Sequence, residues 1–248
     1  MTNWKEMPAW QHLQKYRPLL YELVVRDLKV KYRRSFLGYL WSLLNPLLMM
    51  AVMSFVFSYI FRYDIENYPL YLICGQTLWG FFNESTNMAM YSVLQNGSLI
   101  KKVYIPKFIF PMSRVFSSFV TMSFSLGAIL IVMLVTRAPL HWQLLLFPLP
   151  LILLLLFAMG VSMVLSSLSV YFRDVTHLYS VVTLAWMYVT PVFYPVSALP
   201  DEVAWVLKLN PMYYYLDNFR QLVLYGSLPT AKSWCICLLC SGVALAVG

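Results

Sequence analysis

Long uncharged stretches, separated by short clusters of charge, make up most of the chain. Residues 35–61, 115–136 and 175–200 each contain no Asp, Glu, Lys or Arg. A helix crossing the roughly 30 Å hydrocarbon layer needs about 20 apolar residues, so each stretch holds one span. The stretch 138–172 is too long for one, but Pro139, His141, Trp142 and Gln143 read as an interfacial loop that leaves a single span behind it. From Tyr68 to Gln95 only Glu84 interrupts the run, which is rich in Asn and Ser and reads as a less oily helix. After Lys232 only 16 residues remain, so a last span from Thr230 barely completes a crossing and the sequence is expected to end early. The pattern predicts an all-α integral membrane protein with six transmembrane helices, near 36–61, 68–95, 113–136, 144–170, 175–195 and 230–248.

Three segments are not simple spans. Within 17–34, Leu20, Leu23, Val24, Leu28 and Tyr32 recur at spacings of three and four, while Glu22, Arg26, Lys29 and Arg33 fall on the other face. This predicts an amphipathic interfacial helix with bases toward headgroups and apolar residues in the acyl boundary; a plain basic flank is the simpler alternative. The loop Asn96-Gly-Ser-Leu-Ile-Lys-Lys-Val-Tyr-Ile-Pro-Lys107 is short and basic, with Gly97 able to end one helix and Pro106 to punctuate the next. It reads either as a small surface helix exposing Tyr104 and Ile105 to a cytoplasmic partner or as a solvated turn. From 195 to 230 the chain is aromatic and broken by prolines, too polar to span and too apolar for a free loop. Short re-entrant helices dipping into the outer leaflet are expected over 196–229, before the last span. Trp186, Tyr188, Phe193, Tyr194, Tyr213, Tyr214 and Tyr215 then crowd the outer mouth, as a pathway lining or as the aromatic belt at the headgroups.

Composition excludes a water-soluble body: 60% of the 248 residues are hydrophobic and 11% charged, against about a quarter charged in soluble domains. The net charge of +8 is unevenly placed. Eight bases, from Lys5 to Arg34, precede the first span, and Lys101, Lys102, Lys107, Arg114 and Arg173 bring the inner total to thirteen. Arg62, Arg137, Lys208, Arg220 and Lys232 fall outside with Asp64, Glu66, Asp201, Glu202 and Asp217. The bias makes 1–34 a cytoplasmic N-terminus and 35–248 the membrane domain. The long charged lead before a full-length apolar run is not the pattern of a cleavable signal peptide.

Catalytic chemistry is hard to find. No glycine is followed by lysine, so there is no P-loop. His12, His141 and His177 are far apart, and Cys74, Cys235, Cys237 and Cys240 lie in apolar runs where thiolates for a metal are costly. Glu84, alone inside a span, reads as facing a bundle interior or a subunit contact. No catalytic, cofactor or metal site is expected, and nothing points to nucleic acid. An embedded glycosyl- or acyltransferase lacks an acid–base pair here, and a passive channel is the remaining non-enzyme alternative.

Five strings taken together resemble one family: Tyr32-Arg-Arg-Ser-Phe-Leu-Gly-Tyr-Leu-Trp-Ser-Leu-Leu-Asn-Pro46, Leu99-Ile-Lys-Lys-Val-Tyr-Ile-Pro106, Tyr171-Phe-Arg-Asp174, Thr190-Pro-Val-Phe-Tyr-Pro195 and Asn210-Pro-Met212. The chain resembles the permease subunit of type-2 ABC exporters for cell-surface polysaccharides, the group that includes the Wzm, KpsM and TagG permeases. The resemblance implies a homodimer in the bacterial cytoplasmic (inner) membrane, paired with two copies of a separate ABC ATP-binding subunit that holds ATP and Mg. The cargo it implies is a lipid-linked polysaccharide (O-antigen, capsule or teichoic acid), with a drug or small lipid as the alternative.

Carried over residue by residue, the resemblance makes Tyr21 to Arg34, with Arg26, Lys29, Tyr32, Arg33 and Arg34, the interface or gate helix. Ser98, Lys101, Lys102, Tyr104, Pro106 and Lys107 would form the ATPase-coupling helix, with Arg173 and Asp174 as a second ATPase contact. Tyr39 and Trp41 of the first span and Trp186, Tyr188, Phe193 and Tyr194 of the fifth would line the channel, with Tyr213 and Tyr214 at the outer gate. Such a lining suits sugar rings, which stack on aromatic faces through shallow contacts and can slide. The family ordinarily completes its sixth span and adds a short cytoplasmic tail, which this sequence does not reach.

Overall fold

The computed structural model of the chain describes residues 9–33, 35–60, 65, 67–198 and 201–248. Lys5, Arg34, Arg62, Asp64, Glu66 and the Leu199-Pro200 step lie outside them. Among the described residues every regular element is helical: α1 (Ala9–Tyr32), α2 (Leu40–Ile60), α3 (Tyr68–Gln95), α4 (Gly97–Lys102), α5 (Ile109–Val135), α6 (Pro148–Tyr171), α7 (Val175–Val189), α8 (Asp201–Leu209), α9 (Pro211–Val223) and α10 (Ala231–Val247). Short 3-10 turns at Trp142–Leu146 and Val196–Ala198 lead into α6 and α8. Among the described residues three helices are, by length and composition, apolar enough to cross a membrane: α2, α5, and α6 with its leading turn. At about 1.5 Å per residue the 15 residues of α7 and the 17 of α10 reach only roughly 23 and 26 Å. The predicted fifth span, 175–195, is helical only to Val189, because Pro191 and Pro195 cannot continue it.

α3 occupies the centre, between α5 and α6, with α2 beside it and α9 against its N-terminal half. Its neighbours approach closely because small hydroxyl residues face it. Ser113, Ser117, Thr121 and Ser125 recur every fourth residue on the buried side of α5, and the last three return their hydroxyls to the carbonyl one turn earlier. Ser125 Oγ also donates to Ser42 O at 3.0 Å, the carbonyl that Pro46 leaves without its helical donor. Gly160 brings α6 onto α10 backbone to backbone, since a Cβ there would lie 2.2 Å from the Ala244 carbonyl carbon.

Beyond Val189 the carbonyls of the unwound chain need partners, and side chains supply them. Arg220 of α9 donates to Pro191 O at 2.6 Å, to Val192 O at 2.9 Å and to Tyr71 O at 3.2 Å, with its guanidinium 3.4 Å over the Tyr71 ring. Tyr71 OH reaches Tyr194 O and Tyr68 OH reaches Phe193 O, at 2.8 and 2.7 Å. Arg220 is 4% exposed. It is therefore not one of the solvated exterior bases that the charge pattern suggests, because its terminal nitrogens serve Pro191 O and Val192 O, carbonyls that no helix satisfies. Asn210 joins the two broken ends: it caps α9 through Met212 N, accepts Trp186 Nε1 at 2.7 Å and donates to Thr190 Oγ1 at 2.8 Å.

Gly75 leaves the room for this clamp, since a Cβ there would stand 2.4 Å from Arg220 Nη2 and 3.0 Å from Val192 O. Gly75→Ala and Arg220→Ala are each expected to destabilise the protein in detergent by about 2–4 kcal/mol, because each strands buried carbonyls. Since both act on one clamp, the double variant should cost clearly less than the sum, as read by thermal unfolding of the four forms.

Candidate functional site

At the α4 end of the bundle, the apolar stripe of α1 packs against protein, with Leu23 at the centre of the contact. Leu23, 4% exposed, packs with Ile105, Ile109 and Phe110, and Leu20, Leu99 and Ile100 close around them. Leu23 is thus covered by α4 and the start of α5, while Leu20, Val24, Leu28 and Tyr32 of the same stripe are only half-buried by the chain. Ile105, expected as an exposed docking residue beside Tyr104, is buried in this cluster because it packs with Leu23, while Tyr104 remains exposed.

A buried carboxylate lies beside this cluster. Asp27 Oδ1 accepts Arg26 at 3.2 Å and Arg114 at 3.1 Å. Arg114 also donates to Gln95 at 3.1 Å and Arg26 to Asn96 at 3.5 Å, the two residues that lead into α4. The predicted interface helix and the predicted coupling segment are therefore one mechanical unit. Ser98, Lys101, Lys102 and Lys107 lie exposed around it with Pro106 half-buried, and Arg173 and Asp174 are exposed in the α6–α7 turn. Lys29 and Arg33 face away from the bundle; Arg34 lies outside the described residues.

A cleft of about 420 Å³ opens between α2, α3 and α5, with the end of α1 at one margin and Phe193 at the other. Five aromatic residues line it (Tyr32, Trp41, Trp79, Phe81 and Phe193), interspersed with the hydroxyls of Ser42, Thr77, Ser118, Thr121 and Ser125 and the amides of Asn45 and Gln76. Gln76 Oε1 and Thr77 Oγ1 are buried without a hydrogen bond inside the chain. Tyr32 OH bonds Ser42 Oγ, and Lys31 Nζ pairs with Glu84 Oε1 at 2.6 Å, so the last turn of α1 is tied to the cleft wall. Alternating aromatic faces and spare hydrogen-bonding groups suit a ligand that is both ring-shaped and hydroxylated.

Of the residues expected to line a channel, the structure brings Trp41 and Phe193 into this cleft and sets Tyr39 beside it, with its ring 4.5 Å from that of Tyr32. Trp186 is drawn inward, edge-on to Trp79 and Phe82. Tyr188, Tyr194, Tyr213 and Tyr214 do not line the cleft: Tyr188 is exposed on α7, Tyr194 OH donates to Tyr188 O, and Tyr213 and Tyr214 meet edge to face on α9. One wall is far less covered than the others, for only 6% of the residues in the Leu40–Phe57 stretch of α2 are buried, against 44% for α5.

Sequence reasoning misses Gln76, Thr77 and the partners of Glu84 and Asp27. Lys31 and Glu84 are 53 positions apart, with no local signal joining them. Asp27 did carry a signal, since it stands one turn after Leu23 on the apolar side of α1.

Residues 5–224 match the family described as ABC-2 type transporter. The chain is 33% identical over 224 residues to the O-antigen export system permease protein RfbA of Myxococcus xanthus, covering 90% of this chain and 86% of that protein. It is 23% identical to the capsule polysaccharide export inner-membrane protein CtrC of Neisseria meningitidis, over 91% of this chain and 86% of that protein. To the polysialic acid transport protein KpsM of Escherichia coli it is 20% identical, over 85% and 83%.

Arg114→Gln should destabilise the protein by about 3–5 kcal/mol, because it leaves the Asp27 carboxylate buried with only part of its counter-charge. Adding Asp27→Asn should recover most of that loss. Chemical unfolding in detergent measures both, and an Arg114→Gln variant as stable as the parent would contradict the assignment.

Proposed function

The chain belongs to the ABC-2 type transporter family, and from that membership we propose that it is the membrane-spanning subunit of an ATP-driven exporter for a lipid-linked polysaccharide. The polymer, of O-antigen, capsule or teichoic acid type, would move outward across the cytoplasmic membrane. The observation that carries the cargo is the cleft, with five aromatic residues among hydroxyls and two polar groups, Gln76 Oε1 and Thr77 Oγ1, that have no hydrogen bond inside the chain. The export functions named for the relatives, O-antigen, capsule polysaccharide and polysialic acid, favour this cargo over a drug or small lipid.

In this reading six segments cross the membrane with the N-terminus inside, and two copies face each other across the open sides of α2 and α7. Two copies of an ATP-binding subunit dock on Lys101, Lys102, Tyr104 and Lys107, with Arg173 and Asp174 as a second contact. ATP and Mg belong to those subunits. Movement of α4 passes through Asn96 and Gln95 to Arg26, Arg114 and Asp27, and so to α1 as a rigid lever. The far end of α1 holds Lys31 on Glu84 and Tyr32 on Ser42, so a small rotation there changes the margin of the cleft. The sugar strand slides along aromatic faces while its hydroxyls exchange partners with Gln76 and Thr77.

The test is the purified assembly with its ATPase. Replacing Lys101, Lys102 and Tyr104 together by alanine should leave the complex folded but lower glycan-stimulated ATP hydrolysis and export by about tenfold or more, a loss of roughly 1.4 kcal/mol of coupling. Unchanged export in that variant would remove the docking assignment, and hydrolysis by this chain alone would remove the functional reading.

A further inference from the structure

At the opposite end of the bundle from α4, three loops enclose a second and mostly polar pocket of about 550 Å³, to which Asn67, Thr136, Arg137, His141 and Tyr225 contribute. Asn67 (φ 54°) and Arg137 (φ 51°) are the two non-glycine residues with left-handed backbone among the described residues, and both face this one pocket. Each stands at a helix end and forgoes the ordinary choice for its position. The end of α5 is closed by Ala138 N on Met133 O at 3.0 Å and Arg137 N on Leu134 O at 3.3 Å, a pattern whose left-handed position favours glycine, yet it carries arginine. Asn67 precedes α3, where an asparagine ordinarily accepts a backbone N–H of the first turn. Its side chain makes no such bond.

The carboxamide of Asn67 is turned by a different contact. Thr136 Oγ1 donates to Val132 O at 2.8 Å and so must accept from Asn67 Nδ2, also at 2.8 Å, which leaves Asn67 Oδ1 pointing elsewhere. That oxygen is buried and has no donor. The imidazole of His141 rests on Gly226, where a Cβ would lie 2.1 Å from Cδ2, so the glycine is what admits the ring. Beside these polar groups stands a band of exposed apolar side chains, Leu134, Val135, Leu140, Trp142 and Leu145, with Leu145 81% exposed. The pocket thus offers the Arg137 guanidinium, the His141 imidazole, one unsatisfied acceptor and an adjoining surface for hydrocarbon.

We propose that this pocket binds the headgroup of a phospholipid bearing both a phosphodiester and a distal hydrogen-bond donor. The phosphate accepts from the Arg137 guanidinium and the His141 ring. The ammonium of phosphoethanolamine, or a hydroxyl of phosphoglycerol, donates to Asn67 Oδ1, while the acyl chains lie along the band that begins at Leu134 and Val135. Phosphocholine carries the same phosphate but no N–H or O–H, so the site discriminates against it. The site needs neither the glycan cargo nor the ATPase.

Native mass spectrometry of the detergent-purified exporter, titrated with dioleoyl phosphatidylethanolamine, phosphatidylglycerol and phosphatidylcholine, tests the assignment. The first two should bind about three- to tenfold more tightly than the third, the scale of one hydrogen bond. Asn67→Gly, which keeps the left-handed backbone, should erase that preference while retaining phosphatidylcholine binding. Arg137→Asn, also tolerant of that backbone, should weaken all three by about tenfold or more. Equal affinity for the three lipids in the parent, or a preference that survives Asn67→Gly, overturns the proposal. Displacement of every lipid by millimolar inorganic phosphate overturns it too, since the pocket would then take phosphate and not the headgroup.

Discussion

Inside a bilayer no water attends a backbone carbonyl, and this protein is organised around that constraint. At two interruptions, the proline inside α2 and the unwound segment after α7, a side chain from elsewhere takes the orphaned group. Ser125 answers Pro46 by bonding Ser42 O. Arg220, Tyr71 and Tyr68 answer the unwound 190–195 segment, and Asn210 knots its beginning to α9. These are long-range bonds; the one from Arg220 to Tyr71 O spans 149 positions. The irregular segment after α7 is therefore tied to α3 and α9, with Tyr68 and Tyr71 serving as hydrogen-bonding posts.

What could be read from the linear pattern follows from what periodicity encodes. Apolar runs and charge interruptions give helices in the right order, with α3 starting and stopping where the pattern places it, and the amphipathic stripe finds α1. Helix ends are less legible where local chemistry intervenes: α1 begins well before Arg17 and runs through Pro18, and α7 stops short because the prolines after Val189 end it. A stripe also does not say what covers it. Leu23 and its neighbours look the same in sequence whether they meet lipid or Phe110.

The site was legible to the same degree. The resemblance singles out Trp41, and residue type singles out Phe193, as material for a channel lining, and both stand in the cleft. Which aromatics share a cleft depends on how helices rotate against one another, and rotation is decided by small residues such as Ser117 and Gly160, whose packing role has no signature in one sequence. Arg220 looked like an exterior charge because positive-inside reasoning counts charges and ignores depth. Asp27 escaped notice because its partner, Arg114, lies in another helix.

The contrast between α2 and its neighbours has a consequence for the cleft. α2 packs on α3 and α5 along one side and leaves most of its residues incompletely covered by the chain. The same helix supplies Trp41, Ser42, Asn45, Pro46 and Met49 to the cleft wall. Whatever meets the open side of α2 therefore stands one helix thickness, about 10 Å, from the cleft.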